Sequence, residues 1–406
     1  MNKKISLGIA IGLMALVAAV TFIITYNFSL NVFNSKVRNV SERESIYAKL
    51  SEMDSYVRAN FFNEIDEEKL INNIMNGYVS GLDDRFARYY SAEEYAKQTQ
   101  KESGVTIGFG FEWDKEESGY IKITSVTADS AAEKAGLAAG DVITAVNNTD
   151  VIAYENGYDE AVALFNCEEG TKIKLHIKRI NDEGVSEFFS VDVTAEKSEI
   201  ISVTGRLIDE NIAYIKITTF HEKTPEQFKS TINRLISSGA ETAIFDLRNN
   251  LGGLTGSLEG TLDVILGDGD IVTAYYKDSS EVMVHTTEAE KIKMPMVVLV
   301  NGNTASCSEL FAFALRDEAN AQIVGTDTYG KGVMQKTHKL SGGAAVKITV
   351  ATLQTRNSGD YNGIGIKPNF EVALPAEVDL NNITEEQQLI DDTQLIKAIE
   401  VVSTIQ

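Results

Sequence analysis

An uninterrupted apolar run lies near the start of the chain. Residues 5–25 contain no charged side chain, and none occurs between Lys4 and Lys36. The hydrocarbon core of a bilayer is spanned by roughly 20 apolar residues in a helix, so the run predicts a transmembrane anchor. A cleaved signal peptide is the alternative, because Val17-Ala18-Ala19 offers a small-residue cleavage site. The apolar run continues through Ile24, and this length favours an uncleaved anchor.

Flanking charges predict the orientation of this anchor. Lys3 and Lys4 precede the apolar run and place the N-terminus in the cytoplasm, although Lys36 and Arg38 on the other side weaken the asymmetry. We therefore expect residues 1–30 to form a cytoplasmic tip and anchor. Everything beyond them is expected on the outer, extracellular side of the cell membrane.

Helical spacing characterises the next segment, residues 31–102. Leu70, Ile71, Ile74 and Met75 recur at intervals of one helical turn among Glu, Lys and Asn. We expect a small helical segment here, followed near its end by a turn at residues 81–84.

The pattern changes to strict alternation from residue 103. Residues 105–112, 121–126 and 172–178 alternate apolar and polar side chains, as half-buried strands do. Short helical patterns at 130–136 and 159–165 lie between them. Together they predict one compact module over residues 103–196.

Strands and helices then alternate along the chain. A strand at 212–217 precedes a helix at 224–237, and residues 243–247 and 296–300 are nearly continuous apolar runs. Such runs are typical of strands that are buried on both faces of a sheet. The fold class predicted for the chain is therefore mixed α/β, with an α/β core over residues 197–380 and a helical tail over 381–406.

Composition excludes several classes of protein. The 406 residues carry 37 Lys plus Arg against 59 Asp plus Glu, for a net charge of −22. Nucleic-acid binding requires a basic surface, so no nucleic-acid partner is expected. The two cysteines, Cys167 and Cys307, cannot build a disulfide framework, and no Cys/His cluster predicts a metal site.

A serine stands where an apolar strand gives way to a helical pattern. Ser306 follows the strand at 296–300 and precedes the apolar helix at 308–315. The N–H groups at a helix N-terminus favour a developing oxyanion, so Ser306 is a candidate nucleophile. The alternative role for Ser306 or Ser308 is that of a helix cap.

A nucleophilic serine needs a base, and the histidines are poor candidates. None of the chain's histidines lies in a triad motif; they are His176, His221, His285 and His338. Lys331, between Gly330 and Gly332, can act as a base if burial lowers its pKa. From residue chemistry alone, a solvated loop lysine is the favoured interpretation of Lys331.

Neighbours of these residues are also open to two interpretations. Gly252-Gly253 follows a buried strand, and is either a tight turn or a pair of accessible N–H groups for a carbonyl oxygen. Cys307 adjoins Ser306 and is a rival nucleophile, but no histidine motif pairs with it. We expect Cys307 to be a buried apolar residue.

Two ordered motifs stand out, one running from Asp246 to Leu254 and one around Ser306 and Lys331. They resemble those of the carboxyl-terminal processing peptidases, or tail-specific proteases, which are serine peptidases with a Ser–Lys dyad. The resemblance implies a peptidase core of the ClpP/crotonase-like type. It rests mainly on two long stretches and extends to three further ones. The long stretches are residues 246–254 and residues 299–310, which continue at 325–335, and the further ones are 81–84, 103–196 and 363–368.

The resemblance assigns roles to individual residues. Ser306 is implied as the nucleophile, Lys331 as the general base and Gln335 as a hydrogen-bond partner of the lysine. Gly252 or Gly253, with the backbone N–H of Cys307, is implied as the oxyanion hole. Positions implied to be structural are Asp246, Arg248 and Asp317. No metal and no cofactor are implied. The sequence departs from the family where Leu251 replaces a common proline and Cys307 a common alanine.

Within the module at 103–196, Gly108-Phe109-Gly110-Phe111 resembles the carboxylate-binding loop of PDZ domains. Such domains add an extended peptide to a sheet edge and hold its C-terminal carboxylate with backbone N–H groups. We expect this loop to bind protein C-termini. A degenerate module that only packs against the peptidase is the alternative.

These features predict a membrane-anchored, extracytoplasmic serine endopeptidase that recognises the exposed C-termini of protein or peptide substrates. One alternative is a non-catalytic PDZ scaffold that binds tails at the membrane, and another is a cysteine peptidase that uses Cys307. The sequence does not determine the oligomeric state, and a homo-oligomer is possible.

Overall fold

The computed structural model describes residues 7–181, 183–287, 292–380 and 383–405. The chain divides into two compact units between Ile74 and Met75. Lys3 and Lys4, which carry the prediction of orientation, lie outside the described residues.

The N-terminal unit is helical. Helix α1 (Leu7–Asn60) contains an apolar window, Gly12–Leu30, that is long and apolar enough to cross a membrane. A signal sequence meets the same criterion. After α1, the side chain of Asp66 accepts the backbone N–H of Lys69 at 3.0 Å, and α2 (Glu67–Ser80) begins there.

The second unit begins inside α2, at Met75, and continues with two short elements, β1 (Arg88–Tyr90) and α3 (Ala92–Glu102). A capping box starts α3, because Ser91 accepts the N–H of Glu94 and the Glu94 carboxylate accepts the N–H of Ser91. Residues 31–102 are mainly helical, but β1 pairs with a strand of the α/β core.

Alternating segments form a small β-rich module. Its described elements are β2 (Val105–Gly108), β3 (Phe111–Lys115), β4 (Ile121–Val126), α4 (Ala131–Lys134), β5 (Val142–Val146), β6 (Thr149–Asp150), α5 (Tyr158–Ala163), β7 (Lys172–Ile180), β8 (Ser186–Thr194) and β9 (Glu196–Glu199). One sheet has the order β3-β4-β5-β7-β8 with β6 beside β5, and β2 pairs with β9.

The expectation of one continuous strand over residues 105–112 is wrong. The chain breaks between β2 and β3, which join different sheets. Gly110 lies at the break with a φ of 86°, and a Cβ there would come within 2.1 Å of the Ser130 side chain. The alternating pattern does not reveal this break, because both halves keep the same period.

The α/β core contains the remaining elements. They are β10 (Val203–Ile208), β11 (Ile212–Ile217), α6 (Thr224–Ser237), β12 (Thr242–Asp246), α7 (Thr255–Asp263), β13 (Gly269–Tyr276), β14 (Ser280–Thr286), β15 (Met296–Val300), α8 (Cys307–Ala319), β16 (Gln322–Gly325), β17 (Val333–Lys339), β18 (Ala345–Thr355), β19 (Phe370–Glu371), α9 (Glu385–Asp391) and α10 (Thr393–Thr404).

Two sheets organise this core. The main sheet has the order β10-β11-β12-β15-β16-β19, parallel except for β10. The second has the order β1-β18-β13-β14, with β17 also paired to β18. The mixed α/β class is confirmed, and the ClpP/crotonase-like type stays a prediction.

Both faces of the main sheet are buried. On one face Phe245 of β12 packs against Phe228 of α6 and Phe311 of α8, with ring centroids 5.8 and 5.7 Å away. On the other face Ile244 belongs to the same apolar cluster as Leu395 of α10. Burial on two faces explains why the central strands are continuous apolar runs.

A buried ion network joins the end of β12 to the C-terminal helix. The Arg248 guanidinium donates to Asp246 at 3.0 and 2.7 Å and to Asp392 at 2.8 and 2.7 Å. All three side chains are at most 2% exposed. Tyr214 also donates to Asp246, at 2.6 Å. These contacts hold the chain just before Gly252 and Gly253, and they give Asp246 and Arg248 the structural role expected of them.

Candidate active site

Ser306 occupies a sharp turn between β15 and α8. Its backbone has φ 59° and ψ −121°, a conformation that non-glycine residues rarely adopt. Since α8 begins at Cys307, Ser306 is the residue at the helix N-cap, and Ser308 lies inside the first turn. This strained turn places Ser306 in the wall of a cleft.

A fully buried carboxylate holds the turn in place. Glu309 accepts the backbone N–H groups of Ser306, at 2.9 Å, and Lys331, at 2.8 Å, through the same oxygen, Oε2. Its Oε1 accepts the N–H of Gly330 at 2.8 Å and the hydroxyl of Thr328 at 2.5 Å. One side chain therefore fixes the two loops that carry the candidate nucleophile and base.

Gly252 and Gly253 differ in the availability of their N–H groups. Gly252 donates to the side chain of Asn250 at 2.9 Å. Among the described residues, the N–H of Gly253 donates to no backbone carbonyl, whereas the N–H of Leu254 donates to the carbonyl of Phe220 at 2.7 Å. A Cβ on Gly252 would lie 2.9 Å from Cβ of Ser306, so the loop closely approaches the candidate nucleophile.

Lys331 is half-buried and lines the same cleft as Ser306. Burial lowers the pKa of its amine, and the positive charges of Lys347 and Arg85 lower that pKa further. Glu309 and Cys307 act in the opposite direction. A Cβ on Gly330 would come within 2.8 Å of Gly365, so the chain around the lysine passes close to the loop before β19.

The Lys331 amine contacts an aromatic ring. Its Nζ lies 4.8 Å from the ring centroid of Phe86. Within the described part of the chain, no hydrogen bond links this Nζ to Ser306 or to Gln335. Instead, Gln335 donates to Oγ1 of Thr349 at 3.2 Å, and more weakly to the carbonyl of Val333 at 3.5 Å.

The cleft brings most of the expected residues together. Its volume is about 610 Å³, and its walls include Ser306, Lys331, Gln335, Gly252 and Gly253. Apolar side chains of the loop before α7 and of the second sheet form part of the walls; these are Leu251, Leu254, Val333, Met334 and Leu353. Polar and charged side chains, among them Lys101 and Glu102 of α3, also line the cleft. Such a surface can accept an extended peptide with apolar side chains.

Cys307 lies beneath the cleft rather than in its wall. The residue is 1% exposed, and its Sγ donates to the carbonyl of Gly253 at 3.3 Å. Burial raises the pKa of the thiol to about 11. A thiol in this state is a poor nucleophile near neutral pH.

The expected peptide-binding loop lies between β2 and β3. Phe109 and Phe111 are buried at 4% and 7% exposure, and both rings contact Phe165 after α5. Trp113 packs on the same Phe165 at 4.9 Å but remains 37% exposed. Because β3 is an edge strand of its sheet, a peptide can pair with it beside Trp113.

The carbonyl groups of this loop are already paired. Phe109 accepts the N–H of Ala132 at 2.8 Å, and Gly110 accepts the N–H of Thr127 at 2.9 Å. Among the described residues, the N–H groups of Phe109 and Gly110 have no backbone acceptor. The phenylalanines thus support the loop, while its backbone has N–H groups for a carboxylate.

Other candidates have structural surroundings. His176 bonds to Asn148 and Ser190 within the β-rich module. His221 lines the cleft but is only 2% exposed, its Nε2 bonds to the carbonyl of Ile200 at 3.0 Å, and burial lowers its pKa. In the described ranges, no group of three His, Cys, Asp or Glu side chains is arranged to hold a metal ion.

Sequence reasoning missed Glu309, Thr328 and Phe86. The Ser306-x-x-Glu309 spacing is a capping-box pattern and could have drawn attention to the glutamate. Phe86 had no local signal, because its contact with Lys331 joins residues far apart in the chain.

Comparison with known proteins identifies the family. Residues 211–372 match peptidase family S41, and residues 122–179 match the PDZ domain. The chain is 31% identical over 377 residues to the carboxy-terminal processing protease CtpA of Bacillus subtilis, covering 92% of this chain and 78% of that protein. It is 29% identical to a probable CtpA-like serine protease of Staphylococcus haemolyticus, covering 97% and 77%.

A solved structure shares the fold. The putative S41 protease of Bacteroides fragilis aligns with a TM-score of 0.50 and 16% identity, over 86% of this chain and 99% of that one. The loop at 108–111, which we expected to bind peptides, lies before residues 122–179, the part of the chain that matches the PDZ domain. The sequence identity over most of both chains is the decisive finding, and the chain therefore belongs to the carboxyl-terminal processing peptidases of family S41, serine-type peptidases, and carries a PDZ domain.

Proposed function

We propose that this protein is a membrane-anchored, extracytoplasmic endopeptidase that binds protein C-termini with its PDZ domain and cleaves them with a Ser306–Lys331 dyad. The observation that carries the proposal is that Ser306, on its strained turn, shares one cleft with a half-buried lysine of lowered pKa. Activated serine needs such a base within reach.

The reaction has two halves. The neutral Lys331 amine takes the proton of Ser306 Oγ as this oxygen attacks the scissile carbonyl carbon. The N–H groups of Gly253 and Cys307 stabilise the oxyanion. The C–N bond then breaks, and Lys331 returns the proton to the leaving amine. In the second half, a water molecule loses a proton to Lys331 as its oxygen attacks the ester carbonyl carbon. The C–Oγ bond then breaks, and Lys331 returns the proton to Oγ, which restores Ser306 and the neutral amine.

Gln335 has an indirect place in this proposal. Its amide lines the cleft and bonds to Thr349 rather than to the lysine. In this arrangement it supports the strand beside the base, and a direct contact with Lys331 requires a side-chain rotation.

Tail recognition is assigned to the loop at 108–111. Gly108, Phe109, Gly110 and Phe111 lead into the edge strand β3, and the loop N–H groups would hold a terminal carboxylate. Trp113 is the only tryptophan of the chain, so its fluorescence reports directly on peptide binding.

Anchoring is assigned to the apolar window of α1. The Gly12–Leu30 window supports it by length and composition. Protease added outside intact bacterial cells should degrade the peptidase core. Protection of the core until the cells are lysed would contradict an extracytoplasmic location.

The central test compares three variants of the full-length protein. Ser306→Ala should abolish cleavage of a peptide with an apolar C-terminus and labelling by a fluorophosphonate probe. Ser308→Ala is the matched control, since its buried hydroxyl has no hydrogen-bond partner in the described structure. Cys307→Ser should retain activity. Cleavage that survives Ser306→Ala would contradict the dyad.

A non-catalytic scaffold is the second candidate. It predicts that the wild-type protein quenches or shifts Trp113 fluorescence with a tail peptide but leaves the peptide intact. The S41 family match and the shared cleft of Ser306 and Lys331 favour the peptidase.

A further inference from the structure

We propose that Asp84 and Phe86, in the loop after α2, are positioning residues for the amine of Lys331. This inference rests on the proposed dyad. It assigns part of the base's environment to a loop far from Lys331 in the sequence, which does not itself line the cleft around Ser306.

The amine of Lys331 contacts the ring of Phe86. Lys331 Nζ lies 4.8 Å from the ring centroid. Among the described residues, Nζ forms no hydrogen bond or ion pair. Phe86 is itself half-buried, so its ring covers the amine on one side against water.

Asp84 holds this ring in place. Its Oδ1 accepts the backbone N–H of Phe86 at 3.0 Å and the hydroxyl of Thr349 at 3.2 Å, and its Oδ2 accepts the backbone N–H of Thr349 at 2.9 Å. The loop is thereby pinned to β18. Thr349 also accepts the amide of Gln335, so the glutamine connects with the base through Thr349, Asp84 and Phe86.

An aromatic face suits a lysine that must act as a base. It does not use the lone pair of the neutral amine, which stays available for the serine hydroxyl. Its negative potential attracts the ammonium that forms when the serine proton is transferred. A carboxylate in the same position would keep the lysine charged throughout the cycle.

Other charges around the amine are consistent with this role. Lys347 from β18 and Arg85 beside Phe86 disfavour the ammonium, while Glu309 and the Cys307 thiol of α8 favour it. The Glu309 carboxylate is already shared among backbone donors and Thr328. Arg85 also contacts the Phe86 ring, at 4.6 Å, so the ring lies against two cations.

The test uses full-length protein in detergent micelles and a fluorogenic peptide with an apolar C-terminus. Phe86→Leu keeps the apolar volume but removes the aromatic face. It should lower kcat by about 2- to 30-fold with KM nearly unchanged, and move the acid limb of kcat/KM to lower pH. Phe86→Tyr keeps the ring and should restore both values.

Two further variants complete the design. Asp84→Asn, which weakens the bonds to Thr349 but keeps the ring, should change kcat in the same direction by a smaller factor. Phe62→Leu is the matched control, because Phe62 is 98% exposed, and it should behave like the wild type. Melting temperatures of all variants show whether the fold is retained.

Specific results overturn the inference. A Phe86→Leu enzyme with wild-type kcat and pH profile would do so, and so would a loss that Phe86→Tyr fails to restore. Lys331→Ala, measured in parallel, separates this outcome from failure of the dyad. An active Lys331→Ala enzyme contradicts the proposed dyad itself, whereas an inactive one beside a normal Phe86→Leu contradicts only the role of the ring.

Discussion

Lys331 donates its backbone N–H to the buried carboxylate of Glu309 at 2.8 Å. The same carboxylate oxygen accepts the N–H of Ser306 at 2.9 Å. The proposed nucleophile and base lie on loops that follow different strands, so their relative position depends on the Glu309 side chain.

Replacing Glu309 with glutamine should therefore impair catalysis strongly. An amide has only one acceptor oxygen, and its NH₂ group would face N–H donors. We expect kcat to fall by about 10²-fold, since a small displacement of reacting groups has this effect. Steady-state kinetics of Glu309→Gln measures it. Glu226→Gln is the control, because Glu226 holds the same position in the first turn of α6 but is exposed. Equal kcat values in the two variants would contradict the proposed role of Glu309.

Gly253→Ala should block the proposed oxyanion hole. A Cβ at Gly253 would lie 2.1 Å from the carbonyl oxygen of Phe220, so the loop must shift. Losing one oxyanion donor lowers kcat by about 10²- to 10³-fold. Gly256→Ala, in α7, has open space around the new Cβ and should remain active. A fully active Gly253→Ala enzyme would exclude this glycine from the site.

The pH profile should report the pKa of Lys331. Because only the neutral amine accepts the serine proton, kcat/KM should fall tenfold per unit as pH drops below that pKa. The nearby charge of Lys347 lowers the pKa of Lys331. Lys347→Met should therefore move the acid limb to higher pH, and Lys347→Arg should not. An acid limb at the same pH in all three enzymes would argue against this charge effect.

Asp392→Asn should destabilise the peptidase core. It leaves the Arg248 guanidinium with an incomplete set of buried acceptors, and breaking a buried ion pair costs about 3 kcal/mol. The melting temperature should fall clearly. Glu400→Gln, which disrupts the exposed pair with Lys397, should cost less than about 1 kcal/mol. Equal melting temperatures for the two variants would show that the network contributes little.

Trp113→Ala should weaken binding of tail peptides. Trp113 is partly exposed beside the edge strand β3 and packs on Phe165. Since the variant lacks the intrinsic fluorophore, binding is measured with a fluorescein-labelled peptide by anisotropy. We expect a loss of about tenfold, typical of an aromatic contact residue. Phe188→Ala is the control, because Phe188 is 71% exposed on β8, at the opposite edge of the sheet.

Local pattern in the sequence determined most of the secondary structure. The predicted strands at 212–217 and 296–300 and the helix at 224–237 coincide with β11, β15 and α6. Periodicity is informative there because each element buries a regular face against one core. The domain boundaries, the oligomeric state and the ClpP/crotonase-like type stay predictions.

Tertiary structure alone decided the surroundings of the candidate base. Asp84 and Thr349 meet across 265 positions of sequence, and Phe86 reaches Lys331 through that contact. The sequence by itself determined the candidate nucleophile and base, because Ser306 and Lys331 stand in motifs that resemble those of a known family. It could not determine that Lys331 faces an aromatic ring or that Glu309 joins the two loops. Burial, charge and hydrogen bonding at a site depend on distant segments that only the folded chain brings together.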